Sequence, residues 1–358
     1  MKKLIIKGMG KRYFSDKIVK WYADNKRPLP WRDTADPYMI WLSEVILQQT
    51  RVNQGIPYYQ EFVRTFPSVR ELAQADERQV LRLWQGLGYY TRARNLHKCA
   101  KVIVERHQGE FPSTYDDLLR LPGIGHYTAA AIASFCFGQY VAVLDGNVFR
   151  ILSRIFGVDT ATNSPEGKKV FTRLANELLS KKSPALHNQA VMEFGALFCT
   201  PHNPHCPGCP FKTTCFAYNH NLVEELPVRK KKQRSRKRYF YYLVVEKNKS
   251  LLMKERQEKD IWHGLFDFVL IEKDKPVRPQ KLIEENKKWF NKAENVQVSK
   301  AYKHILTHQI IHCRFIHLLA GPSLHLPPRG LVFYSPEEVA QLPKPALISR
   351  FLKEQNRY

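Results

Sequence analysis

Negative charge is scarce in this chain. Its 358 residues carry 33 Asp and Glu against 57 Lys and Arg, a formal net charge of +24. That balance favours a polyanionic partner, although a basic surface alone specifies neither sequence nor chemistry. No run of 18 apolar residues occurs, which excludes a membrane-spanning helix. The stretch Met1-Lys2-Lys3-Leu4-Ile5-Ile6-Lys7-Gly8 has a charged start but no adequate apolar segment behind it. A signal peptide is therefore not expected, and an intracellular protein is. Disulfides are rare there, so the seven cysteines need another explanation. What the chain does have is 44% hydrophobic residues, in a length that allows two domains.

The chain is organised around Leu121 to Arg150, LPGIGHYTAAAIASFCFGQYVAVLDGNVFR. Leu-Pro-Gly-Ile-Gly is a turn leading into an Ala-rich run, Tyr127 to Phe135, of good helix formers. Gly123 and Gly125 can adopt positive φ and let backbone approach a ligand closely. Free N–H groups at a helix N-terminus bind anions, and in so basic a chain the expected anion is a nucleic-acid phosphate. Taken alone, the turn is equally a corner between two helices. Asp145 opens another helical pattern, Val148, Ile151, Leu152 and Ile155. Taken alone, it reads as an N-cap.

Other stretches carry chemistry. After a short helix at Ile18 to Tyr22, Arg27-Pro28-Leu29-Pro30-Trp31-Arg32 is a loop stiffened by two prolines. It presents a planar aromatic beside a planar cation, both able to stack on a base. Tyr38 to Leu47 has helical spacing, with Ile40 and Leu47 flanking Glu44. A carboxyl so placed is desolvated, its pKa rises, and it suits general-acid work near neutrality. The alternative is an ordinary helix Glu reaching solvent. Gln48, Gln49 and Thr50 offer short polar arms on the next turn. Phe62 to Leu83 reads as two helices broken at Pro67, with Ser68 and Asp76 as N-caps. Trp84 to Arg94 is a glycine-hinged loop with paired tyrosines and arginines, the residue types that wedge into a base stack and hold phosphates. Ser164 to Lys181 is a further amphipathic helix, and Asn188 to Leu197 leads into the cysteines.

Cys199, Cys206, Cys209 and Cys215 have the spacing C-x6-C-x2-C-x5-C, a compact loop able to hold one soft metal centre. Zinc competes, but its structural sites more often use two CxxC-type knuckles, and one is present here. Cys99, Cys136 and Cys313 are scattered and read as buried thiols. Arg229 to Arg238 holds eight Lys or Arg in ten residues and should be extended, as a solvated linker or a phosphate-tracking arm. Beyond it the pattern becomes α+β. Strands are expected at Tyr239–Val245, Ser250–Lys254 (with Lys247-Asn248-Lys249 as hairpin turn), Phe266–Ile271 and Ile311–Leu319. Helices are expected near Pro279–Phe290 and Pro336–Leu342.

Leu-Pro-Gly-Ile-Gly-His-Tyr-Thr-Ala followed by Leu-Asp-Gly-Asn-Val resembles the helix–hairpin–helix DNA glycosylase superfamily, and more narrowly the MutY-type adenine DNA glycosylases. The specific motifs run from about Ile18 to Pro227, and the match is weaker beyond. The resemblance implies a mostly α helix–hairpin–helix glycosylase domain with a [4Fe–4S] loop, plus an α+β Nudix-like domain. The corresponding division is 1–228 catalytic, 229–238 basic linker, 239–358 lesion recognition. Residues Cys199, Cys206, Cys209 and Cys215 would hold the cluster, and His202, His205 and Lys212 between them would meet DNA phosphate. Adenine paired with 8-oxoguanine or guanine in duplex DNA would flip into a pocket lined by Trp31, Arg32 and Gln189. Glu44 would protonate the base, and Asp145 would stabilise the sugar electrostatically or attack it covalently. Tyr127 and Asn147 would orient the intermediate and the water, with Gln48, Gln49 and Thr50 beside the lesion. Leu87 and Tyr89 would be wedges. Endonuclease III has Lys where this chain has Tyr127, so a glycosylase without lyase activity is expected.

The Nudix metal-binding core Arg-Glu-x-x-Glu-Glu is absent between Gly264 and Phe290, so the second domain should recognise rather than hydrolyse. Its lesion-reading loop, Phe-Ser-His in bacterial relatives, is Leu306-Thr307-His308 here. Thr307 keeps a hydroxyl and His308 is retained, while Leu306 replaces an aromatic. The implied enzyme is a cytoplasmic monomer working at the bacterial nucleoid. A pyrimidine-lesion glycosylase with lyase activity and a non-catalytic iron–sulfur DNA-binding protein are the competing classes.

Overall fold

The computed structural model describes residues 10–230, 235–286, 293–320 and 330–355. They form two compact units. One comprises Met1–Gln74 and Asn95–Lys231, the other Ala75–Arg94 and Lys232–Tyr358. A boundary drawn at 228 leaves Ala75–Arg94 with the first domain; by contact these residues group with the second.

The first unit is helical. Its described elements are α1 (Lys11–Asn25), α2 (Pro37–Leu47), α3 (Val52–Thr65) and α4 (Val69–Gln74). After α5 (Glu77–Leu83) in the second unit come α6 (Thr91–His107), α7 (Tyr115–Leu118), α8 (His126–Phe137), α9 (Gly146–Phe156), α10 (Pro165–Leu178), α11 (Pro184–Leu197) and α12 (Phe216–Asn219). Helix α1 is longer than the Ile18–Tyr22 core of its pattern. Helix α2 starts at Pro37 under an Asp36 cap and buries Tyr38 through Ile46 except Met39, so it lies within the core rather than on its surface. It packs on α8, which buries seven consecutive residues from Thr128 to Ser134. Val148, Ile151, Leu152 and Ile155 of α9 enter a core with Phe14, Ile18 and Phe194 of α1 and α11, as their spacing predicts. Ser68 accepts the Arg70 N–H at 3.1 Å and Asp76 the Arg78 N–H at 2.7 Å, so both expected N-caps are made.

The second unit holds a mixed sheet of β1 (Arg236–Lys247), β2 (Ser250–Glu255), β3 (Phe266–Asp267), β4 (Val269–Lys273), β5 (Ala293–Val298), β6 (Tyr302–Ile305), β7 (Gln309–Ala320) and β8 (Val332–Tyr334). The order is β3-β2-β1-β7-β5, with β4 on β1, β6 on β7 and β8 on β2. The β1–β7 pair is parallel, Arg236 opposite Gln309 through Glu246 opposite Leu319. Helices α13 (Pro279–Glu285), α14 (Pro336–Gln341) and α15 (Ala346–Glu354) complete it. Lys247 pairs with Ser250, so the hairpin turn is Asn248-Lys249 alone, with φ of 51° and 66°.

Several sequence expectations are corrected. The strand expected over Phe266–Ile271 is two, β3 on β2 and β4 on β1. Phe266, Asp267 and Phe268 are all buried, which one strand with a solvent face cannot provide. Among the described residues, both ends of the basic run are held by the fold. Lys230 N–H donates to Asn163 Oδ1 at 2.9 Å, and Arg236–Arg238 begin β1. Arg238 is buried, with bonds of 2.7 Å to Asp260 and 2.6 Å to Glu272 that offset its charge. Helix α13 ends at Glu285, and residues 287–290 of the expected helix lie outside the described residues. Strands β5, β6 and β8 and helix α15 have no counterpart in the sequence reading.

Asp267 is fully buried; Arg256 donates to its Oδ2 at 2.7 Å and the Tyr242 hydroxyl at 3.3 Å. Burial pushes this carboxyl up to about 6, against the pull of Arg256. Arg256→Ala should therefore cost about 3–5 kcal/mol, the penalty of a stranded buried charge. Asp267→Asn should cost clearly less. Urea midpoints of the two variants measure this, and an Arg256→Ala loss no larger than that of Asp267→Asn would refute it.

Candidate active site

The first unit encloses a cleft of about 760 Å³, and the residues flagged in separate parts of the chain converge on it. Trp31 and Arg32 come from the proline-stiffened loop after α1, and Glu44, Gln48, Gln49 and Thr50 from α2 and its following turn. Gly123, Gly125 and Tyr127 come from the start of α8, Asp145 and Asn147 from the start of α9, and Gln189 from α11.

Glu44 is 7% exposed, and Ile40 and Leu47 line the cleft beside it. Burial pushes its carboxyl up to about 7; Asp145 raises it further, while the Tyr127 hydroxyl and Arg32 pull it down. That hydroxyl donates to Glu44 Oε2. Tyr127 itself is raised well above the usual phenol range, first by burial and then by both carboxylates, so it remains a donor. Asp145 satisfies both sequence readings at once. Oδ1 caps α9 by accepting the Val148 N–H at 2.7 Å, and Oδ2 accepts from Asn147 Nδ2 at 2.7 Å. Burial raises its pKa, and those two bonds and Arg150 oppose the rise. An acid protonated near neutrality and a second carboxylate held by donors are the pair needed to cleave a glycosidic-type bond.

The turn before α8, like the starts of α1, α3 and α11, carries no side-chain cap, and its glycines leave the backbone bare. Gly123 has φ of +77°, and a Cβ there would also strike Asn95 at 2.6 Å. Gly125 would meet nothing, so the space over it is open, and no side chain caps α8. By contrast Asp36, Thr114, Asp145 and Ser164 cap α2, α7, α9 and α10.

Four participants were not singled out in the sequence. Glu193, 2% exposed, accepts from Arg27 Nε at 2.9 Å and from Arg32 at 2.7 Å. Arg32 also donates to the Tyr22 hydroxyl. Arg150 donates to Asn147 Oδ1 at 2.8 Å and to the Cys199 carbonyl at 2.8 Å. One signal was available: Glu193 lies one helical turn past Gln189.

The cysteine loop is drawn together. Burial, and after it the proximity of Cys199, raises the pKa of Cys206, Cys209 and Cys215, and Cys209 is pushed up to about 12. Among the described residues no group of three His, Cys, Asp or Glu side chains is arranged as metal ligands. The donors around the sulfurs nonetheless suit thiolates. Arg154 points at Cys199 Sγ from 3.6 Å and the Phe211 N–H at Cys209 Sγ from 3.4 Å. Two of the four sulfurs thus face donors while Cys215 Sγ lies 3.5 Å from the Arg154 carbonyl oxygen, and four cysteine sulfurs are the donor set a soft metal centre takes. Cys99 and Cys313 are buried and Cys136 half-buried.

The remaining candidates belong to the second unit. Leu87 is 8% exposed and Tyr89 45%, so only Tyr89 presents its ring outward. Thr307 and His308 form the tip of the β6–β7 hairpin, closed by Leu306 N–H to Gln309 O at 2.9 Å. The Tyr89 hydroxyl contacts the Thr307 hydroxyl.

Comparison with known proteins places the chain among its relatives. Residues 42–180 match the HhH-GPD superfamily of base excision DNA repair proteins, and residues 240–354 a NUDIX domain. The chain is 34% identical over 305 residues to the adenine DNA glycosylase of Buchnera aphidicola subsp. Baizongia pistaciae, covering 84% of each protein. It is 40% identical over 222 residues to that of Homo sapiens, covering 60% of this chain and 41% of the human protein. Among solved structures, a thermostable thymine-DNA glycosylase matches with TM-score 0.55 and 27% identity, over 59% of this chain and 97% of that one. A non-covalent endonuclease III–DNA complex matches with TM-score 0.52 at 21% identity, over 60% of this chain and 99% of that one, a likeness of fold.

The raised pKa of Glu44 has a stability consequence. Between the ordinary value of 4.5 and about 7 the folded protein binds a proton that the unfolded chain does not, so stability falls as pH rises through that window. Glu44→Gln should be stabilising by up to about 3 kcal/mol at pH 8, at roughly 1.4 kcal/mol per unit, and near neutral at pH 4. Urea titrations at the two pH values measure the difference; equal effects at both would contradict a buried, protonated Glu44.

Proposed function

The chain belongs to the adenine DNA glycosylases, the N-glycosylase hydrolases of base excision repair, and from that premise we propose that it removes adenine mispaired with 8-oxoguanine or guanine in duplex DNA. The reading is carried by Glu44 and Asp145 lining one cleft, the first kept protonated near neutral pH and the second held by Asn147 and the Val148 N–H.

Extruding the adenine nucleotide costs a few kcal/mol, least at a mispair. The base enters beside Trp31, Arg32 and Gln189, and Gln48, Gln49 and Thr50 take the space next to it. Glu44 delivers its proton to the leaving base, and Tyr127, its hydrogen-bond partner, holds the carboxyl in place. The sugar gains oxocarbenium character, which Asp145 stabilises as a charge or traps covalently while Asn147 fixes its orientation. Water completes hydrolysis. Tyr127 has no amine to form a Schiff base, so the strand is left intact. The uncapped start of α8, with Gly123 and Gly125, receives a DNA phosphate.

Cys199, Cys206, Cys209 and Cys215 would hold a [4Fe–4S] cluster, which supplies rigid structure and charge to the DNA-binding loop around His202, His205 and Lys212. The second unit reads the opposite base, with Tyr89 as wedge and Thr307 and His308 as lesion contacts. The protein acts as a monomer in the bacterial cytoplasm, at the nucleoid.

Base release from defined mispairs tests the proposal. Adenine opposite 8-oxoguanine should be the preferred substrate, and Glu44→Gln and Asp145→Asn should each slow single-turnover excision at least about 10²-fold. Wild-type rates in both variants would overturn the assignment, as would efficient borohydride trapping of an enzyme–DNA adduct. The rate should fall as pH rises through about 7, where Glu44 loses its proton. Tyr127→Phe removes a bond that lowers that pKa, so the falling limb should move to higher pH. A limb that stays in place, or moves lower, would show that Glu44 is not the group titrating.

A further inference from the structure

The cation cluster at the back of the cleft has a direction. Glu193 uses its acceptors on protein. Oε1 takes the Arg27 backbone N–H at 3.0 Å and Nε at 2.9 Å, and Oε2 takes Arg27 Nη2 and Arg32 Nη2, each at 2.7 Å. It therefore has little capacity left for a base. Arg32, anchored by Glu193, places its other guanidinium nitrogen on the Tyr22 hydroxyl oxygen. Arginine can only donate, so that oxygen must accept. The single hydroxyl hydrogen then has one partner, Gln189 Oε1 at 3.0 Å. Tyr22 is 4% exposed, and the reverse arrangement would strand its hydrogen in a buried place. The carboxamide of Gln189 is thus oriented by elimination: oxygen toward Tyr22, amine toward the opposite side.

We infer that Tyr22 is a positioning residue for base selectivity, locking the Gln189 carboxamide so that its amine faces the extruded base. Tyr22 is not itself among the residues lining the cleft, so it acts through Gln189. The inference rests on the reading that Gln189 contacts the base. A fixed donor facing the pairing edge selects a purine whose ring nitrogen on that edge is an acceptor. Adenine carries acceptors at its ring nitrogens outside the glycosidic bond, with an amine beside them on the pairing edge. Hypoxanthine inverts that edge, with an N–H in the ring and a carbonyl beside it. An amide free to turn over would accommodate either.

A double-mutant cycle tests the relay, using single-turnover release of adenine and of hypoxanthine from otherwise identical duplexes. Tyr22→Phe keeps the ring and deletes the hydroxyl. It should narrow the adenine-to-hypoxanthine rate ratio about tenfold, the size of one net hydrogen bond of discrimination. In a Gln189→Ala background the same substitution should change the ratio less than twofold. Glu193→Gln, which loosens Arg32 from Tyr22, should narrow the ratio in the same way and serves if Tyr22→Phe does not fold. An unchanged ratio in folded Tyr22→Phe, with a narrowed ratio in Gln189→Ala, would overturn the relay and leave the base contact standing. An unchanged ratio in Gln189→Ala would overturn the base contact itself. Equal narrowing by Tyr22→Phe with and without Gln189 would show that Tyr22 acts by another route.

Discussion

A carboxylic acid kept away from water is the constraint on which the cleft depends. Glu44 sits on a helix that is apolar on nearly every side, so α2 must be buried, and burying it buries the acid. The desolvation that raises the pKa of Glu44 also makes it a liability, and the surrounding groups set the balance. Arg32 and Tyr127 favour the charged form while Asp145 disfavours it, and the result lies near neutrality. Removing any one of these groups moves the acid without touching it.

The second carboxylate is organised by a different device, a helix start. Asp145 caps α9, and the same helix carries Asn147, Arg150 and Arg154 along one side. Asn147 holds Asp145, Arg150 holds Asn147 and reaches the Cys199 carbonyl, and Arg154 reaches the Thr200 carbonyl at 2.7 Å. Orientation of the carboxylate and anchoring of the cysteine loop are thus tasks of one rigid element. The core packing of Val148, Ile151, Leu152 and Ile155 on its other side keeps it in place.

Much of the cleft was legible because its signals are local. The apolar neighbours of Glu44 lie within one turn of it, the Asp145 cap lies next to the helix it starts, and the cysteine spacing is a property of one loop. The glycines of the turn before α8 could be read for the same reason. What escaped was the polar frame along one wall of the cleft. Tyr22, Arg27 and Glu193 look like ordinary helix and loop residues, and Arg27 and Glu193 are separated by 166 positions. Only the one-turn spacing of Glu193 from Gln189 marks any of them. The basic run before β1 misled for a related reason: Arg238 reads as one more repelling charge until Asp260 and Glu272 are folded against it.

By itself the sequence determined the helical and α+β halves, the helix caps at Ser68, Asp76 and Asp145, a hairpin around Asn248 and the spacing of the four cysteines. Those follow from side-chain period, backbone allowance and spacing, which act over a few residues. Only the tertiary structure decided that Glu44 and Asp145 share a cavity, that Phe266–Ile271 breaks into two strands, that Ala75–Arg94 groups with the second unit, and which way the Gln189 amide points. Each of these depends on which distant groups share a buried space. Desolvation and hydrogen-bond direction exist only once the chain has closed around them.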